Sequence, residues 1–221
     1  MVRTRGARNE DHDERRAALL ASARARLRAP GPAPSLRELA REAGVTVPTL
    51  RHYFGDRDGV VRAVMAAELA EARTPGGPLE VAATPSGPFA RSVRDLLGHA
   101  DAGFVHAGLT DAHAAGLAEG LASSATGASY LALALDPTVE AFAERLRAHQ
   151  ERGEMRADVD PRAAALQLLA PLVVARLHQD RLGGADANPL DVAAMLDQQA
   201  EAFVRGYAAP VRPSRTGRRA R

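Results

Sequence analysis

Two sets of helix-start signals stand eleven residues apart, with one glycine between them, in SLRELAREAGVTVPTLRHYF, Ser35 to Phe54. Ser35 is a good N-cap, and Glu38 three residues later completes a capping box. Leu36, Leu39, Ala40 and Ala43 then fall at i, i+3, i+4 and i+7, the spacing of one buried helical stripe. Gly44 suits the left-handed position that ends such a helix. Thr46 starts the next one, Val45 and Leu50 are spaced for a hydrophobic staple, and Pro48 sits in the first turn, where its missing N–H costs little. Leu50, Tyr53 and Phe54, with Arg57 at the edge, share one face; Val47, Pro48, Arg51 and His52 share the other. Asp56 caps a third helix through Arg73, with Val60, Val61, Val64, Met65 and Leu69 as its apolar positions. A strand cannot use any of these signals.

The remainder reads the same way. Asp13–Arg28 is predicted helical, with Ala17, Leu20, Ala21 and Leu27 available to one face. APGPAPS breaks it. Thr74–Pro88, rich in Pro and Gly, reads as a linker or broken turn. Helical patterns run from there to residue 209, Pro171 marks a kink, and Asp158 and Asp160 beside Pro161 form a turn and an N-cap. Clean strand alternation is absent. The expected fold class is all-α, about nine helices. Residues 1–12 form a disordered arm, 13–58 a helix-turn-helix domain of three helices, and 59–209 a larger helical domain that the next helix joins to it. Residues 210–221 form a disordered basic tail.

Charge separates these parts. Residues 1–74 carry 14 Arg against 10 acids, residues 75–209 carry 10 Arg against 17 acids, and the last twelve residues add 5 Arg and no acid. A basic head on an acidic body points to a nucleic-acid partner. The chain has no Cys, which excludes disulfides and thiolate metal sites. An apolar run long enough to span a bilayer is missing, as is a signal-peptide core, so a cytoplasmic protein without membrane contact is expected. Phosphate loop, nucleophile elbow, H-E-x-x-H and paired carboxylates are missing too, so the expectation is no enzyme, no metal and no cofactor. In a helix-turn-helix layout the second helix enters the major groove, helix N-termini hold phosphates, and Arg51 and His52 are offered to the bases or the backbone.

SLRELAREAGVTVPTLRHYFGDRDGVVRAV resembles the TetR family of bacterial transcriptional regulators. Leu39-Ala40, Ala43-Gly44-Val45, Thr46, Thr49-Leu50, Tyr53-Phe54 and Arg57 fill the family's pattern. The resemblance implies a DNA-contacting set of Ser35, Arg37, Thr46, Val47, Pro48, Thr49, Arg51, His52, Tyr53 and Arg57, with Arg57 on a phosphate. Arg51 replaces the Tyr common at its position, and Pro48 stands where a small residue is usual. The resemblance further implies a homodimer through the last two long helices, about 161–180 and 189–206, on a double-stranded operator. It also implies a small-molecule effector bound among residues 86–150, most often with repression as the outcome. Phe89, Leu96, His99, Phe104, His106, His113, Leu117, Tyr130 and Phe142 are the candidate lining. His99, His106 and His113 repeat every seven residues, which places them on one wall if a single helix carries them, and Asp95 is placed to orient His99. The alternative is a helical small-molecule-binding or scaffold protein without sequence-specific DNA binding.

Overall fold

The computed structural model describes residues 5–29, 33–106 and 109–210, with side chains from Asp11 onward. Four helices build the head: α1 (Arg5–Arg28), α2 (Leu36–Glu42), α3 (Val47–Phe54) and α4 (Arg57–Ala72). The capping box at Ser35 forms, with Ser35 N–H donating to Glu38 Oε2 at 2.7 Å. At its other end α2 closes in a Schellman motif. Gly44 has φ 64°, its N–H donates to Arg41 O at 3.1 Å, and Val45 N–H donates to Ala40 O at 2.9 Å. Thr46 caps α3 and Asp56 caps α4. Leu19, Ala23, Leu39, Ala40, Leu50, Val60 and Val64 form the small core that these turns enclose.

Helix α1 departs from expectation twice. It starts at Arg5, so residues 5–12 of the expected disordered arm are helical, and His12 lies 4.7 Å from the Tyr53 ring centroid. No proline stops the helix before residue 28, and that aromatic contact gives its first turns a partner. Its buried stripe is Leu19 and Ala23, with Leu27 beside them; Ala17 and Ala21 are exposed. Residues four apart lie on one face; this register buries Leu19 and packs Leu27, with the expected Leu20, partly against the core, where Ala17 and Ala21 would offer only methyls.

The body follows as α5 (Pro78–Ala83), α6 (Phe89–His106), α7 (Leu109–Ala122), α8 (Ser124–Tyr130), a π-helical turn (Leu131–Leu135), α9 (Asp136–Glu151), α10 (Pro161–Asp180), α11 (Gly184–Ala187) and α12 (Val192–Tyr207). The fold is all-α. The short α5, α8 and α11 bring the helices among the described residues to twelve. Asp160 accepts from Arg162 N–H at 2.9 Å and caps α10 as expected. Leu96, Phe142, Leu146, Leu168, Leu169 and Leu172, each at most 1% exposed, centre the core of the body. A short bridge between Met155 and Ala208 ties the turn after α9 to the end of α12. The expectation for the basic tail lies outside the described residues, apart from Pro210.

Ion pairs tie helices together within the head and within the body. Arg24 on α1 grips Glu71 on α4 with two bonds of 2.7 and 2.8 Å, and Arg28 reaches Glu68 at 2.7 Å. Arg176 on α10 holds Asp101 on α6 with bonds of 2.6 and 2.7 Å, and Arg181 holds Asp111 on α7 at 2.7 Å.

Candidate functional site

Helix α3 is fixed by one side and free on the other. Leu50 is fully buried against α1, α2 and α4, while Pro48, Arg51 and His52 face outward. Ser35, Arg37 and Thr46 are exposed on the same head. Val47 and Tyr53, expected among the DNA contacts, are half-buried and pack against the small core; for Val47 this leaves less outward area than its face suggested, while Tyr53 keeps to the face it shares with Leu50 and Phe54. Thr49 turns its hydroxyl to Thr46 Oγ1 at 2.8 Å. His52 stands 5.2 Å from the Tyr53 ring, which His12 covers from α1. Arg16 lies over the Phe54 ring at 5.3 Å, a cation–π contact between α1 and α3.

Arg57 is held elsewhere. Its Nε donates to Pro34 O at 2.6 Å, and its two terminal nitrogens donate to the two carboxylate oxygens of Glu119, on α7 of the body. That bidentate bond raises the Arg57 pKa above its already high value, against the opposing effect of burial.

Beneath the head a cavity of about 270 Å³ opens between α4, α5, α6, α7, α9 and the π-helical turn. Its lining is overwhelmingly apolar: Met65, Leu69, Leu79, Phe104, Leu133 and Phe142 are among its walls. Its polar feature is a buried pair. His113 Nδ1 lies 2.6 Å from Tyr130 Oη, the Phe104 ring stacks on the imidazole at 5.2 Å, and Tyr130 meets it edge-on at 5.8 Å. Burial pulls the His113 pKa down to about 4 and pushes Tyr130 up to about 12, so both groups are uncharged at neutral pH. Gly116, one turn after His113, lies so close to the Tyr130 ring that a Cβ there would sit 2.4 Å from it. Glu68 also borders the cavity, with Arg24 and Arg28 paired to its carboxylate.

The wall has an irregular backbone at the π-helical turn, where Asp136 N–H bonds Leu131 O. Pro137 has no N–H to return to the preceding turn, and the next residue's hydroxyl, Thr138 Oγ1, donates to its own i−4 carbonyl, Ala134 O, at 3.0 Å.

Of the nine expected lining residues, His99, Phe104, His113, Tyr130 and Phe142 border the cavity. Phe89 and Leu96 belong to the core of the body, with Phe89 beside Phe203 and His149. Leu117 packs with Val61, Met65 and Tyr130. His106 is exposed. The shared wall for the three histidines does not form, because α6 ends at His106 and His113 belongs to α7. Nor does Asp95 orient His99: its carboxylate accepts from Ser86 Oγ at 2.7 Å, while His99 Nε2 lies 3.1 Å from Pro78 O. The contributions of α4, α5 and the π-helical turn were not visible in sequence, since nothing local says which body helices will face α4. No group of three or more metal-ligating side chains occurs among the described residues, and no helix there is long and apolar enough to cross a membrane.

Two family models match the chain and together cover more than half of it. One, for bacterial regulatory proteins of the TetR family, matches residues 19–64; the other, for the C-terminal domain of AefR-like transcriptional repressors, matches residues 102–209. No curated protein sequence matches it. Solved structures share its fold over nearly their full length. A protein from Mesorhizobium loti assigned to the TetR family superposes with a TM-score of 0.71 at 18% identity, covering 94% of this chain and 100% of that one. SmeT, the repressor of the Stenotrophomonas maltophilia multidrug efflux pump SmeDEF, gives 0.60 at 18% identity over 89% and 91% of the two chains. The fatty acid degradation regulator FadR from Bacillus halodurans gives 0.65 at 13% identity over 87% and 95%.

Proposed function

We propose, on the premise that the chain belongs to the TetR family of bacterial regulatory proteins, that it is a repressor released from its DNA operator by a small molecule. The observation that carries this is the exposed face of α3. Pro48, Arg51 and His52 point outward from a helix whose opposite side is locked by Leu50. A rigid helix with a polar, cationic outer edge is suited to a major groove, where Arg recognises guanine or a phosphate.

The effector is an uncharged, mostly apolar molecule carrying one hydrogen-bonding group. This is supported by the apolar walls, by the neutral His113–Tyr130 pair, and by the pairing of the bordering Glu68 carboxylate with Arg24 and Arg28, which leaves no free charge to compensate a formal charge in a low-dielectric cavity. Two copies of the chain join through α10 and α12. Leu166 and Val174 support this, at 46% and 64% exposed on the outer side of α10, because such side chains call for a cover. A two-fold pair of heads also reads two half-sites instead of one.

The test is a gel shift with the DNA directly upstream of the gene. Binding is expected, weakening steeply as salt rises because phosphate contacts release counterions. Arg51→Ala should weaken it by about 1–3 kcal/mol if Arg51 contacts a base, with an unchanged circular dichroism melt. Absence of salt-dependent binding to every native fragment would instead indicate a helical binding or scaffold protein.

A further inference from the structure

The ion pair between Arg57 and Glu119 is the feature that the proposed function leaves over. It crosses from the start of α4, directly after the recognition helix, to α7 of the body. Glu119 is 7% exposed, and it points a full carboxylate fork at a guanidinium. A carboxylate in that geometry offers Arg57 what a DNA phosphate would offer: two oxygens for two parallel N–H donors. With Nε on Pro34 O and one N–H of each terminal nitrogen on Glu119, the guanidinium has no parallel pair of donors left for a phosphate, and the carboxylate repels a phosphate brought beside it.

Helix α7 also carries His113 of the cavity's buried polar pair. His113 lies six residues before Glu119, about 9 Å along the helix axis. The same helix is held close to α8, where a Cβ on Gly120 would come 3.1 Å from Gly127 Cα. Ser123, at the start of α8, donates to Asp58 Oδ2 at 3.3 Å, next to Arg57. A rigid helix that touches the cavity at one end and the head at the other moves both contacts together.

We infer that Glu119 is a latch: it competes with DNA phosphate for Arg57, and the position of α7, set by what fills the cavity at His113, decides which of the two holds the guanidinium. The inference rests on the regulator function proposed above. Closed, the latch withdraws a cation from the DNA face of the head. Open, it returns that cation to a place beside the recognition helix.

Fluorescence anisotropy of the full-length chain on a labelled duplex from directly upstream of its gene, at a series of salt concentrations, tests this. Glu119→Gln should tighten binding by about tenfold, roughly the worth of one charge-assisted hydrogen bond, and steepen the salt dependence by about one phosphate contact. In an Arg57→Ala background the same substitution should change neither quantity, because the effect acts only through Arg57. Arg57→Lys supplies an independent variant. It keeps the charge for a phosphate but cannot form the fork, so it should also tighten binding, by about threefold or more. Unchanged or weaker binding by both Glu119→Gln and Arg57→Lys, with native melting curves, would overturn the latch. So would a Glu119→Gln effect that persists without Arg57, since that would be long-range charge alone. If Glu119→Gln does not fold, Arg57→Lys decides the matter by itself. Native binding with unaltered variants ends the latch and leaves the regulator standing; no salt-dependent binding by the native chain ends both.

Discussion

Arg145→Ala is expected to destabilise the protein by about 3–5 kcal/mol, the sum of a few buried carbonyls left without a donor at about 1–3 kcal/mol each. Arg145 lies on α9 and is 3% exposed. Its Nε donates to Ala82 O at 2.7 Å, Nη2 to Val81 O at 2.5 Å, and Nη1 to Ser92 O and Oγ at 3.1 and 3.2 Å. The first two acceptors are carbonyls at the C-terminal end of α5, which have no partner within their own helix. Burial lowers the Arg145 pKa, and Asp95 nearby partly offsets that. Carbonyl dipoles therefore carry most of the compensation for a guanidinium taken out of water. Truncation strands them in a space too dry to rehydrate freely, and each orphan costs about 1–3 kcal/mol. For a chain of this size, a loss of this magnitude lowers the melting temperature by roughly 10 °C. Urea unfolding of the native chain, Arg145→Ala and Arg145→Met measures it. Arg145→Met keeps most of the volume and loses the donors, so it should remain well below the native protein. A methionine variant as stable as the native chain would mean that Arg145 only fills space.

The head was legible in the sequence because its determinants are local. Ser35 and Glu38, Gly44, Thr46 and Asp56 each act within four residues of themselves, and each takes its expected place. The body is different. Helix α5 hides in a segment rich in Pro and Gly, where Gly77 and Pro78 look like breakers and are in fact its N-cap and first residue. Arg145 looks like the polar face of an amphipathic helix, yet its partners lie 53 to 64 positions away. Glu119 sits in a run of Ala and Gly with no periodic signal, and its partner is 62 positions earlier. Seven-residue spacing suggested a wall of three histidines, but spacing is a statement about one helix, and the chain passes into a second helix between His106 and His113. Among the candidate residues, sequence therefore found those whose burial follows from being aromatic or paired, such as Phe104, Tyr130 and Phe142. It could not find the charged residues whose meaning depends on which helices meet.

His113 should make stability fall with acid in a defined window. In the unfolded chain its imidazole takes up a proton near pH 6.5; in the fold, burial between Phe104 and Tyr130 holds it off until about pH 4. Between those limits the unfolded chain binds more protons than the folded one, so stability rises with pH. Above pH 6.5 the contribution is fully present. It declines as pH falls and is lost by about pH 4, for a total on the order of 3 kcal/mol. Urea unfolding at intervals from pH 7 to pH 4 measures the slope, and His113→Asn isolates it, since an amide can still meet Tyr130 Oη and does not titrate. The other histidines and the carboxylates contribute equally to both chains, so the difference between native and variant is the part that belongs to His113. A difference that stays flat across the window would mean that water reaches the imidazole and that the cavity floor is charged in mild acid. The expected slope means that the floor stays neutral, which is the physical basis for assigning the cavity an uncharged effector. The same neutrality should leave binding of an uncharged effector nearly constant from pH 8 down to about pH 5, with any loss of DNA release over that range arising in the head rather than in the cavity.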